Sequence, residues 1–247
     1  MKEQIEHNLL LKWLILTGLI SFSVIAAWHE GVIFMLYSVD KSHISIAITL
    51  IYLLVTIHCA LRIYTISSET NLSKKVENIV KNEEKIILKT NGDQLLVNSK
   101  IKLPMCLMTE YIRDLCFRNN NISEPDDSNL TSDLNDVYNS RLKGPQEIGW
   151  FVSDMMLKLG LLGTIIGFIF MLGSVANIAD FDVSNMQKIL RHMSNGMGTA
   201  LYTTLTGLVC SVLSAMQYHM IDRHADELIE LTRHTTQIHV IPKININ

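Results

Sequence analysis

Four stretches of the chain stay apolar over the roughly 20 residues that a helix needs to cross hydrocarbon. They are Leu9–Trp28, Ile44–Tyr64, Met155–Ile178 and Met197–Ile221. Each is too continuously apolar for a water-soluble helix, which keeps one polar face. The first carries Lys12 near its start, where a long stem reaches the headgroups. It outruns the roughly 7–15 apolar residues of a secretory signal, and Glu3 and Glu6 occupy the segment that would be basic, so it reads as a retained span.

Between the second and third spans the pattern changes. Leu72, Val76, Ile79 and Val80 make a helical stripe, as do Met105, Met108, Ile112 and Leu115 after Pro104, a residue suited to a helix start. Lys85–Asn98 has two short apolar runs around Asn91-Gly92, which fit either a hairpin or a helix with a break. Asn119–Asn135 is polar, acidic and rich in turn formers, the composition of a flexible linker. Pro145 fits the first position of a helix reaching about Ile178, and Asp222–Arg233 continues the fourth span in helical composition with Leu228, Ile229 and Leu231 for packing. The expected fold is all-α: a polytopic membrane protein with four transmembrane helices, two of them extended into a helical cytoplasmic domain. Its expected divisions are a hairpin of spans over 1–66, a cytoplasmic loop over 67–148 with its linker at about 119–135, a core of two spans over 149–221, and a cytoplasmic helix and tail over 222–247.

Charge sets the orientation. The stretch between spans two and three holds Arg62, Lys74, Lys75, Arg141 and Lys143 close to membrane ends, whereas the first loop offers Lys41 and the last Lys188 and Arg191. Positive loops stay inside. Both termini and the large loop are therefore expected in the cytoplasm, with Glu30–His43 and Ala179–Asn195 facing outward. The sequons at Asn71, Asn121 and Asn129 carry no meaning there. A net charge of −3 gives no basic patch, so no nucleic-acid partner is expected. The four cysteines lack metal-ligand spacing and read as reduced, mostly buried thiols. Neither a nucleophile constellation nor a phosphate loop appears, so neither an enzyme nor a cofactor is expected.

Spans three and four carry stripes of small and hydroxyl side chains. Gly160, Thr164, Gly167 and Met171 share one face of the third, with Gly163 and Gly167 forming Gly-x-x-x-Gly beside it. Ala200, Thr204, Gly207, Ser211 and Ser214 share a face of the fourth, flanked by Thr199, Thr203, Thr206 and Cys210. Such residues let helices approach closely in lipid, and their hydroxyls can return to the i−4 carbonyl. Gly160, Gly163, Gly167, Ala200 and Gly207 are assigned to packing. Asp154, Asp180 and Asp222 lie at or beyond the ends of these spans, leaving no carboxylate at depth. Glu30 reads as interfacial and His58 as a hydrogen-bonded packing residue. An ion path through these helices would need a carboxylate from another subunit.

Leu159-Gly160-Leu161-Leu162-Gly163-Thr164-Ile165-Ile166-Gly167-Phe168, followed by Gly198-Thr199-Ala200-Leu201-Tyr202-Thr203-Thr204-Leu205-Thr206-Gly207-Leu208, resembles the core of the MotA/TolQ/ExbB proton-channel family. Gly149-Trp150-Phe151 just upstream fits the same pattern, and the four-span layout is closest to the flagellar-stator branch. The resemblance implies an ion-channel subunit of a rotary motor. It further implies a homopentamer in membrane lipid around two copies of a single-span partner similar to MotB, ExbD or TolR, whose membrane Asp runs past threonines of the pentamer. Carried onto this chain, the path residues are Thr164 and Thr204, with Ser211 and Thr199, the last standing where Ton-system members have Glu. The other reading is a four-span membrane scaffold or receptor that conducts nothing and whose stripes serve packing alone.

Overall fold

Residues 8–82, 88–91, 94–97, 101–121, 127–176 and 183–243 are described in the computed structural model. α1 (Asn8–His29) ends at Gly31, whose φ of 74° is open to glycine and strained for other residues, and a short α2 (Val32–Val39) follows. α3 covers Ile44–Asn82, α4 Leu107–Asn121, α5 Asp127–Ala176 and α6 Val183–Thr235, with a π turn at Thr236–Val240 and a 3₁₀ turn at Ile241–Lys243. Four helices are long and apolar enough to cross a membrane: Leu9–His29, Ile44–Asn82, Asp133–Gly173 and Leu190–Val240. Their outer faces hold side chains such as Phe22 and Ile25, 73% and 67% exposed, which water would not tolerate in such numbers. The chain is an all-α, multi-pass membrane protein.

Three sequence expectations change. Pro145 does not open a helix; it lies inside α5. An interior proline loses one backbone bond and presses on the preceding turn, at about 3 kcal/mol. Tertiary contacts offset that here, because Tyr138, Leu142 and Gln146 are buried around it and Arg62 Nη2 donates to the Leu142 carbonyl at 2.7 Å. The linker at 119–135 is correspondingly shorter, since α4 reaches Asn121 and α5 resumes at Asp127; residues 122–126 lie outside the described residues. The segment Ala179–Asn195 is helical from Val183, no proline standing between there and Thr235, while 177–182 lie outside the described residues. In the loop, Lys85–Asn98 resolves in favour of strands: β1 (Leu88–Asn91) pairs antiparallel with β2 (Gln94–Val97), and β2 with β3 (Ile101–Lys102). Residues 92 and 93, including Gly92, lie outside the described residues.

The chain divides into two compact units. One comprises Lys12–Ala60 and Glu147–His219, thus α1, α2, the first half of α3 and the apolar parts of α5 and α6. Its core is Ile48, Met156 and Cys210, with Ile44, Ile51, Tyr52 and Leu159 against them. The other is built mainly from Leu61–Gln146 and the residues from Met220 onward. There Val76, Val80, Leu103, Cys106, Met108, Ile112 and Val240 form the core, with Leu72, Ile79 and Leu231 packed on it. Glu69 accepts the Leu107 N–H at 2.9 Å and so caps α4, placing a carboxylate where the helix dipole favours it. Burial pushes the Cys116 thiol up to about 11, which keeps it protonated and unreactive.

Candidate functional site

In the first unit α5 and α6 run antiparallel along a seam of very small residues. Gly149 faces Tyr218, Ser153 faces Ser211, Gly160 faces Gly207, Gly163 faces Thr203, and Gly167 faces Ala200 and Gly196. On α5 these positions, with Met156, recur every three and four residues, the spacing that keeps one edge of a helix against a partner. A Cβ built on Gly207 would lie 2.8 Å from the Gly160 Cα and 2.8 Å from the Met156 carbonyl, and one on Gly167 2.6 Å from the Ala200 nitrogen. Backbone meets backbone here, so the seam is dry and has no room for an ion.

The hydroxyls singled out by sequence occupy different settings. Thr204 bridges the seam, donating to the Gly160 carbonyl at 3.2 Å and sharing the Ala200 carbonyl of its own helix at 3.1 Å. Ser211 receives the Ser153 hydroxyl on its carbonyl at 2.8 Å. Thr164 is half-exposed and returns its hydroxyl to the Leu161 carbonyl at 2.5 Å, within its own turn. Thr199 is fully buried: it donates to the Val39 carbonyl at 2.9 Å and accepts from the Lys41 N–H at 3.5 Å. Thr203 is buried too, and returns its hydroxyl to Thr199 and Ala200 carbonyls at 2.9 and 3.0 Å. Thr204 and Ser211 are thus joined to α5, Thr199 to the turn before α3, and Thr164 bonds locally.

That turn is itself organised by a residue the sequence did not single out. Asp40 is 2% exposed and accepts Ser42 N–H at 2.9 Å, Ser42 hydroxyl at 2.6 Å and Ser45 N–H at 2.9 Å. Burial works to raise its carboxyl, but the hydrogen bonds from Ser42 and Ser45 outweigh it and hold the group below its ordinary value of 3.8. An Asp shortly before an apolar run is the available signal, an N-terminal capping residue.

A polar network at the other end of the seam was also not legible as such. Tyr218, fully buried, sits where Gly149 has no side chain, and its hydroxyl pairs with His58 Nδ1 at 2.9 Å. Next to it Gln217 receives Trp13 Nε1 at 3.4 Å and donates to the Tyr52 hydroxyl at 3.4 Å. Adjacent residues of α6 therefore tie it to α1 and α3. Asp154 and Lys158 neutralise one another at 2.6 Å on the exposed side of α5. Among the described residues no three His, Cys, Asp or Glu side chains gather in a metal-binding group.

Residues 122–234 match the MotA/TolQ/ExbB proton channel family. The matched region contains the whole of the α5/α6 seam with Thr164, Thr199, Thr204 and Ser211, so the similarity to that family lies in this part of the chain. MotA/TolQ/ExbB proteins form a channel family and not an enzyme family, so the match supports an ion-channel-like membrane subunit. No match was found among curated proteins or among solved structures.

Proposed function

We infer that the chain is the ion-conducting subunit of an energy-transducing complex, in which several copies surround a partner bearing a membrane carboxylate. The carrying observation is the dry α5/α6 seam: with backbones in contact at Gly160 and Gly207, the ion route runs outside the seam of one chain. Thr164 is half-exposed among the outward-facing Leu161, Ile165 and Phe168, and so can meet a neighbour. A protonated carboxyl passes a hydroxyl in hydrocarbon at far lower cost than a charged one. In the full proposal five copies enclose two single-span partners similar to MotB, TolR or ExbD. Alternate loading of the two carboxylates with protons or sodium ions turns the partner. Thr164 and Thr204, the latter at the part-exposed margin of the seam, line its route, Ser211 and Thr199 flank it, and both termini lie in the cytoplasm of an inner membrane in the arrangement of the flagellar-stator branch.

The hydroxyl pattern favours one competing reading, a non-conducting scaffold, because Thr164, Thr199 and Thr204 all donate to backbone carbonyls. Substitution separates the two. Under the channel proposal Thr164→Val abolishes ion-dependent activity while assembly, seen as co-purification of partner and chain, persists. Unchanged activity in both Thr164→Val and Thr204→Val refutes the path.

A further inference from the structure

The interior of the second unit contains side-chain polar atoms that meet no hydrogen-bond partner among the described residues: Oε1 and Nε2 of Gln146 and Oδ1 of Asn139. Gln146 is 1% exposed, so solvent does not reach it from outside. Both residues belong to α5, seven apart, which places them two turns from one another on one face. On the same helix the carbonyl of Leu142 receives Arg62 Nη2 at 2.7 Å, but no such donor reaches the two amides.

Buried polar groups in folded proteins find partners, from the protein or from ordered water. The chemistry of the orphaned atoms narrows which. Gln146 Nε2 requires an acceptor, while Gln146 Oε1 and Asn139 Oδ1 require donors. An anion answers the first alone and a cation the other two alone. Water answers all of them. Two helical turns, about 10 Å, separate the two residues along α5, so about two waters are the fewest that serve both.

We propose that the face of α5 bearing Asn139 and Gln146 binds an internal cluster of at least about two waters, which accept from Gln146 Nε2 and donate to Gln146 Oε1 and Asn139 Oδ1.

The test is X-ray hydroxyl-radical footprinting of the full chain in lipid nanodiscs, in which ordered internal waters label the side chains they touch. Leu142 and Leu103 form a matched pair, the same residue type in the same unit at 6% and 5% exposure. With waters at Gln146, Leu142 labels at least about fivefold faster than Leu103, and Gln146→Leu removes the excess. Equal, slow labelling of the two leucines in the unsubstituted chain overturns the proposal, and that comparison stands whether or not the variant folds. An excess that survives Gln146→Leu overturns the role given to that amide.

Discussion

Among single residues, Asp40 and Gly149 carry the sharpest consequences. The carboxyl of Asp40 is held below 3.8 by Ser42 and Ser45. Its folded value lies under its unfolded one, so its stabilisation is complete above about pH 4 and is lost as pH falls through the depressed folded value. Thermal unfolding in detergent should therefore be steady from neutrality to about pH 5 and then decline more steeply in the unsubstituted chain than in Asp40→Asn, which lacks the titrating group. Equal acid slopes would remove Asp40 from the account. Gly149 gives a steric prediction: a methyl there meets the ring of the fully buried Tyr218, so Gly149→Ala should destabilise by about 1–3 kcal/mol. Combined with Tyr218→Ala it should cost less than the two single losses added, since the ring that clashes is gone. The glycine stands out in the sequence, whereas the ring does not, because Tyr218 and its partner His58 are 160 positions apart and nothing local joins them.

For the helices, the seam between α5 and α6 makes glycines unequal. Gly207→Ala drives a methyl against the backbone of Gly160 and Met156, atoms that cannot turn aside, and should lower the unfolding temperature. Gly18→Ala, in the interior of α1, meets nothing within 4 Å and gains helix propensity of about 0.5–1 kcal/mol, so it should raise that temperature. A uniform response to both would mean that the seam is not where the structure places it. The small-residue periodicity of spans three and four was plain in the sequence, since spacing of three and four needs only one helix to be read. The course of α5 through Pro145 was not. A proline at a helix start and one in a helix interior look alike locally, and the difference lies in Arg62 on another helix reaching the Leu142 carbonyl. The paired strands were ambiguous for a related reason: at four residues each, their apolar runs are too short for periodicity to choose between strand and helix.

The whole chain was legible as a four-span membrane protein because length and hydropathy alone decide that question. How many copies assemble is a property of outward faces, where Leu161, Ile165 and Phe168 suit lipid or a neighbouring helix equally well. Native mass spectrometry of the complex, recovered through a tag on this chain, should give five copies of it with two of a single-span protein; a monomer without such a protein would support the scaffold reading. The central claim is conduction, and ion flux tests it most directly. Proteoliposomes holding that complex, loaded with a pH-sensitive or sodium-sensitive dye, should pass one of the two ions down an imposed gradient, and Thr164→Val should abolish the flux without changing subunit stoichiometry. Flux no greater than that of empty liposomes, or flux equal in Thr164→Val, would contradict it.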